Sequence, residues 1–438
     1  MAGPSNYNFR QVRFCGPVSG ECWQQSLPAR YRLEIARKEP LVDAKPLGTL
    51  LKASALLIVV IFGLAISFYE PEAPRTAAAV TGLRLNNLLG EPDHAGFARA
   101  EVPRDFVFPL DHGPHNQYRS EWWYLTAALE DDEGREYGLH YTQFRQALVP
   151  APTGEGPWHS GQAYLGHLAV TDVASRAHLE AERFARGHPE LAGVTSATRF
   201  EAVIDDWTLQ GNALGPLNLT LSASESARVG VDLEIQQTGP IVLQGNRGLS
   251  EKGPGSASYY YSIPGLQIRG TLTVRGQEVA VTGLGWLDRE WSTSVLDQSL
   301  SGWDWFSLQL DDQRSIMVFR LRRHDGRRDD YDHGLLVDPD RLNGQPVIGR
   351  GDPGVDILGP EDFSLTPRRY YQDALGVRWP VEWSLMIDDE EFLIRALLDD
   401  QTVELSIRYW EGLVEILGPA GDRLGRGYME LTGYEGAQ

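Results

Sequence analysis

C-terminal to residue 100, apolar and polar residues alternate with a period of two. In residues 228–237 (RVGVDLEIQQ), Val229, Val231, Leu233 and Ile235 share one face, as they would in a strand whose successive side chains point to opposite sides. In residues 402–409 (TVELSIRY), Val403, Leu405, Ile407 and Tyr409 do the same, which predicts a second half-buried strand. Turn-forming clusters at 131–134, 311–312, 325–326 and 388–389 punctuate such runs. No long amphipathic helix is apparent. The pattern predicts short strands and an all-β body, sandwich or barrel.

The pattern also repeats. Residues 120–129 (SEWWYLTAAL) align with 301–310 (SGWDWFSLQL), and each is followed by a strand ending in Phe-Arg, at Phe144–Arg145 and Phe319–Arg320. Gly285, Trp286, Leu287 and Asp288 parallel Gly427, Tyr428, Met429 and Glu430. Anchors recurring in the same order predict two related β-domains, here bounded at 101–295 and 296–438 and meeting near 293–300.

One segment breaks the alternation. Residues 53–69 (ASALLIVVIFGLAISFY) are uncharged and long enough for a short membrane-spanning helix or signal anchor. Residues 1–52 carry eight Lys and Arg against four acids, while Glu70 and Glu72 follow the run. The positive-inside rule then puts 1–52 in the cytoplasm and the body outside. An Ala-rich stretch at 77–79 offers a signal-peptidase site, so the body is either anchored to the inner membrane in the periplasm or secreted. Residues 70–100, with Pro71, Pro74 and Pro92, read as a linker.

Charge narrows the partners. The net charge is −20, so the body is strongly acidic and repels phosphate backbones; nucleic acid is excluded as a partner. The two cysteines, Cys15 and Cys22, precede the apolar run, which leaves the body without a disulfide framework or a Cys-based zinc site. Motifs for a serine nucleophile elbow, a zincin helix, a P-loop and a dinucleotide fingerprint are missing. His112 and His115 lie in DHGPHNQ, which reads as a hydrogen-bonded turn more readily than a metal pair. No metal and no cofactor are expected.

The densest chemistry is in residues 285–292 (GWLDREWS). On a strand, Trp286, Asp288 and Glu290 point one way and Leu287, Arg289 and Trp291 the other. If the first face lines a barrel interior, two carboxyls and an indole share a low-dielectric pocket, and one carboxyl stays protonated at neutral pH. Asp288 and Glu290 are the candidate catalytic acids. Candidate ligand contacts are Trp286, Glu121 and Trp123 on one face of their strand, Tyr259 and Tyr261 of the Tyr259–Tyr260–Tyr261 run, and Trp303 and Trp305. That many aromatics among carboxylates suits a large apolar ligand.

Taken together, Asp111…His115…Glu121–Trp122–Trp123–Tyr124, Tyr164–Leu165–Gly166–His167, Ser258–Tyr259–Tyr260–Tyr261–Ser262, GWLDREWS, Gly302–Trp303–Asp304–Trp305–Phe306, Tyr409–Trp410–Glu411–Gly412 and GYMELTGY at 427–434 resemble the AttH and hydroxyneurosporene synthase (carotenoid 1,2-hydratase) family, often labelled predicted secreted hydrolases. The resemblance implies two tandem lipocalin-like domains, and the position similar to the hydratase's alkene-protonating aspartate is Asp288. The positions similar to that enzyme's upstream His and Trp hold Tyr259 and Tyr261. Three readings follow. The first is an extracytoplasmic binder of a lipid or isoprenoid-like ligand, held to the membrane and with an ABC-type export system as a candidate partner. The second is a cofactor-independent hydratase, and the third a hydrolase, for which the chain offers no nucleophile–base pair.

The topology is tested by fusing alkaline phosphatase after residue 100: an extracytoplasmic body gives an active fusion, and a stable but inactive one refutes the placement.

Overall fold

The computed structural model describes residues 12–15 and 22–25 and, from 95 to 435, all but 153, 197, 198, 213, 214, 294–298, 326 and 328. The chain divides into two compact units, 1–79 and 80–438. In the first, Val12–Cys15 pairs antiparallel with Cys22–Gln25, with Cys15 opposite Cys22. The apolar run 53–69 and, within the expected junction near 293–300, residues 294–298 lie outside the described residues. Among the described residues no helix is long and apolar enough to cross a membrane.

The second unit is all-β, with only three single turns of 3-10 helix among the described residues. Its first sheet runs in hydrogen-bonded order Ala177–Arg186, Gln162–Asp172, Glu136–Ala147, Ser120–Glu130, Gln277–Ser292, Ser256–Val274, Val229–Gln237, Asn218–Glu225, Trp207–Gly211, Phe200–Ile204, Ala192–Thr195. The second runs Val355–Leu358, His333–Val337, Ser315–Arg323, Leu300–Leu310, Arg423–Leu431, Arg408–Leu417, Glu390–Ala396, Arg378–Ile387, Phe363–Gln372. The two orders correspond strand for strand along the second sheet's whole length. Ser120–Glu130 and Leu300–Leu310 take the same place, each between its hairpin partner and the strand carrying the Gly-aromatic-aliphatic-carboxylate string. The Phe-Arg anchors do not match in register. Phe144 lies opposite Trp122 and Phe319 opposite Trp305, so the counterpart of Phe144 is Leu321, which faces Trp303.

Two predicted strand features change. Residues 402–409 do not form one strand: Thr402–Glu404 folds back on Arg408–Leu417, with Val403 opposite Tyr409. Neighbouring carboxylates supply the acceptors that a ladder would otherwise provide, since the Glu404 amide donates to Glu180 Oε2 at 2.7 Å and the Ser406 amide to Glu182 Oε1 at 3.2 Å. Nor are all strands short. Ser256–Val274 and Gln277–Ser292 form one long hairpin, with a register shift between Ile263 and Leu266. The shift leaves the carbonyls of Pro264 and Gly285 to accept from Gln309 Nε2 of the second sheet, at 2.6 and 2.9 Å.

Among the described residues four apolar clusters follow from this layout, the smallest gathering Leu165, Val403, Ile407 and Tyr409. One fills the first sheet's interior, with Trp123, Tyr261, Leu287 and Trp291 among its members. A second fills the interior of the second sheet around Trp379, Trp383 and Phe306. The third joins the two, gathering Tyr124, Tyr260 and Trp286 from the first sheet with Trp305, Phe319 and Tyr428 from the second.

The first interior also buries charge. Glu121, fully buried, accepts from Arg289 Nη2 at 2.7 Å and from Arg145 Nε at 2.9 Å. Its Oε1 lies 2.7 Å from His115 Nδ1, and His115 Nε2 lies 3.0 Å from Asp111 Oδ1. His115 is stacked on Trp291, ring centroids 3.7 Å apart. Burial by itself would raise the Glu121 carboxyl, but the guanidiniums of Arg289 and Arg145 hold it well below the usual carboxylate range. Glu121→Gln leaves two buried guanidiniums short of a counter-ion and is expected to cost about 3–5 kcal/mol of stability in denaturant unfolding. A depressed carboxylate stabilises most above its unfolded value of about 4.3. Wild-type stability should therefore fall as the pH drops below that value, and less so in the variant.

Candidate functional site

The site follows from what the Gln277–Ser292 strand puts on each of its faces. Residues 285–292 are all buried, so both faces of this stretch are covered. Leu287, Arg289 and Trp291 point into the first sheet's interior. Trp286, Asp288 and Glu290 point the other way, as the alternation predicts, but that face is not the interior of a barrel. It is the surface on which the second sheet packs, and a cleft opens there, of about 840 Å³ when the open solvent at its mouth is included.

Both sheets line the cleft. The first contributes Trp122, Tyr124, Phe144, Tyr260, Asp288 and Glu290; the second contributes Trp303, Trp305, Phe319, Leu321, Tyr409 and Glu430. His140, His167 and Lys252 complete the polar part of the wall. The surface is mostly aromatic, with a few convergent polar groups, as a site for a sizeable apolar molecule requires.

Asp288 is flanked in register by Ser262 on one side and Tyr124 on the other. Its carboxyl accepts from Tyr260 Oη at 2.6 Å, Ser262 Oγ at 2.5 Å and Trp286 Nε1 at 2.7 Å. Tyr260 is held in turn by Trp305 Nε1 at 3.3 Å, and Ser262 by Gln244 Nε2 at 2.7 Å. Burial pushes the Asp288 carboxyl up to about 7. The three donors favour the carboxylate and Glu290 opposes it, but desolvation wins. At neutral pH a large share of Asp288 is therefore a neutral acid in a fixed orientation.

Glu290 accepts from Ser258 Oγ and lies 3.5 Å from Lys252 Nζ. Lys252 sits 4.1 Å above the Phe319 ring and donates to Ser250 Oγ at 3.0 Å. Burial lowers its pKa, against the pull of Glu290. Glu430, flanked by Glu411 and Trp305, accepts from Trp303 Nε1 at 3.1 Å and is raised by burial to about 8. Glu411 is likewise raised well above the usual carboxylate range by burial and by Glu430, and it accepts from Tyr124 Oη at 2.6 Å.

Of the residues singled out in the sequence, Asp288, Glu290, Trp303 and Trp305 line the cleft, and Trp286 stands behind Asp288 as a donor. Four belong elsewhere. Glu121 and Trp123 face the first interior, where Arg289 covers the Trp123 ring at 3.9 Å. Tyr259 and Tyr261 face it too, Tyr259 donating to the Val102 carbonyl and Tyr261 lying against His112. The pair two residues apart that touches Asp288 is Tyr260 and Ser262, one position along, because those side chains share the face of Asp288. Sequence reasoning missed Tyr260, Tyr124, Lys252 and Glu430. For Glu430 a signal was present, since it is the repeat position that matches Asp288.

The fold and site define a class: an all-β protein of lipocalin type with an aromatic, carboxyl-bearing cleft where its two sheets meet. The chain belongs to the AttH-like family, whose model matches residues 99–434. It is similar to the crystal structure of an AttH-type protein from Nitrosomonas europaea, at 31% identity and TM-score 0.66 over 77% of this chain and all of that one. It also shares its fold with kievitone hydratase from Nectria haematococca, at 16% identity and TM-score 0.55 over 78% of this chain and 97% of that one. No curated protein matches the chain.

Removing a donor to a carboxylate disfavours its charged form. Trp286→Phe should therefore move the Asp288 titration upward from about 7, read from the pH dependence of the infrared carboxyl band that Asp288→Asn abolishes.

Proposed function

We propose that the cleft binds a large, mostly apolar, unsaturated molecule and that Asp288 acts on it as a general acid, adding water across a carbon–carbon double bond without a cofactor. The observation that carries this reading is a buried carboxyl held by Tyr260, Ser262 and Trp286 at the wall of an aromatic cleft. The Asp288 O–H gives its proton to one alkene carbon, leaving a carboxylate and a cation at the other. The faces of Trp122, Trp303 and Trp305 are suited to steady that cation, at about 0.5–2 kcal/mol each. Water then bonds to the cationic carbon and returns a proton to the Asp288 carboxylate, which restores the acid.

Binding of an isoprenoid-like ligand is the part of this reading that needs only the cleft, and it serves a carrier equally well. The kievitone hydratase fold neighbour is in keeping with hydration but does not carry it, because reaction is a property of the site and not of the fold. We also propose an extracytoplasmic body anchored through the apolar run at 53–69, supported by the basic flank before it and the acidic residues after it.

Incubation with polyunsaturated isoprenoids in ¹⁸O-labelled water tests the reaction. Wild-type protein should yield a labelled alcohol, and the rate should fall as pH rises through about 7, where the acid form of Asp288 is lost. Asp288→Asn, whose amide cannot supply the proton, should lower turnover by about 10²–10⁴-fold while ligand still binds. Undiminished turnover in that variant refutes the acid assignment, and binding without turnover in the wild type leaves the carrier.

A further inference from the structure

The repeat carries a second carboxyl, Glu430, at the position that matches Asp288, and it faces the same cleft. In the aligned strings SEWWY and SGWDW, Tyr124 and Trp305 hold the same position. Asp288 lies directly opposite Tyr124, and Glu430 directly opposite Trp305. On its other side Asp288 faces Ser262, and Glu430 faces Glu411. A tyrosine stands two residues before each of those partners, Tyr260 and Tyr409, and both line the cleft. Trp122 and Trp303 are likewise counterparts, and both line it.

The two copies differ where function would separate them. Asp288 accepts three side-chain hydrogen bonds, all from its own sheet, and is almost completely covered. Glu430 accepts from Trp303 and keeps part of its surface accessible on the cleft side. Two unpartnered polar atoms mark the surroundings. His140 lines the cleft with its ring 5.2 Å from that of Tyr124, and its buried Nδ1 has no hydrogen-bond partner among the described residues. Glu411 Oε2 is also buried and unpartnered. Buried polar atoms left unpaired are uncommon and call for an explanation, and for His140, which lines the cleft, a polar ligand atom supplies one.

We propose that Glu430 donates a hydrogen bond to an oxygen atom of the ligand, so that the cleft takes an uncharged, oxygen-bearing apolar molecule rather than a pure hydrocarbon. The proposal rests on the reading of the cleft as an apolar-ligand site and adds the polar feature of that ligand. The charged and titratable groups facing Glu430 favour a neutral donor. Glu411 beside it, Tyr124 across from it, and Asp288 and Glu290 on the first sheet are acids, and burial keeps its proton in place against the donors Trp303 and Tyr124. Lys252, the cation of the wall, is engaged by Glu290. Asp288, fixed by its three donors, gives its proton to the double bond, while Glu430 keeps its own and positions the oxygen.

The test uses the full-length protein and two probes of one carbon skeleton, retinol and its deoxygenated hydrocarbon, with tryptophan fluorescence quenching as the readout near pH 6.5. The wild type should bind retinol about three- to tenfold more tightly, the worth of one neutral hydrogen bond. Glu430→Leu should erase that preference while hydrocarbon binding persists, which also shows that the variant is folded. Glu430→Gln, whose amide still donates, should retain it, as should Asp288→Asn. A preference that survives Glu430→Leu overturns the assignment of Glu430, as does equal binding of the two probes by the wild type. If neither probe quenches, the apolar cleft itself is refuted and the inference with it.

Discussion

Residues 285–292 are buried along their whole length, and the rest of the structure depends on how their polar groups are accommodated. A strand covered on both sides cannot hand a charge to solvent on either. Arg289, Asp288 and Glu290 must therefore each be paired, hydrogen-bonded or neutralised where they stand. The two faces solve this in opposite ways, and the difference separates framework from site.

On the inner face, Arg289 meets Glu121, which also holds Arg145 and His115. Opposite charges in contact outweigh the cost of burial, and the carboxyl stays ionised. On the outer face Asp288 meets hydroxyls and an indole but, among the described residues, no cation at contact distance. Hydrogen bonds orient it without repaying the desolvation of a full charge, so the proton is retained toward neutral pH. The same side-chain chemistry, a buried carboxyl, becomes a structural anion in one place and an acid in the other because of what stands within reach.

The outer face is a site only because a second sheet covers it. Tyr124 donating to Glu411, Trp305 to Tyr260 and Gln309 to the carbonyls at the register shift tie the halves together. They do so around the cleft rather than across it. A duplicated unit packed on its own copy brings matching aromatic and acidic positions to one junction, which accounts for two raised carboxyls, Asp288 and Glu430, on one wall system.

Much of this was legible in the chain. Period two determined the strands, because an extended backbone alternates its faces whatever lies around it. It also determined that Asp288 travels with Trp286 and Glu290 and not with Arg289. The repeat determined that Leu300–Leu310 matches Ser120–Glu130 in place. Alternation, however, says which residues share a face and never which face meets what. That Tyr260, and not Tyr259 or Tyr261, reaches the cleft depends on the covering second sheet. So does the removal of Glu121 and Trp123 to the interior. Residues 402–409 alternate perfectly and still fold back on themselves, because carboxylates of the distant Ala177–Arg186 strand capture their amides. Local sequence determined the strands and their faces through backbone geometry. The tertiary structure alone decided which buried carboxyl keeps its proton, because desolvation and charge pairing depend on groups brought together from remote parts of the chain.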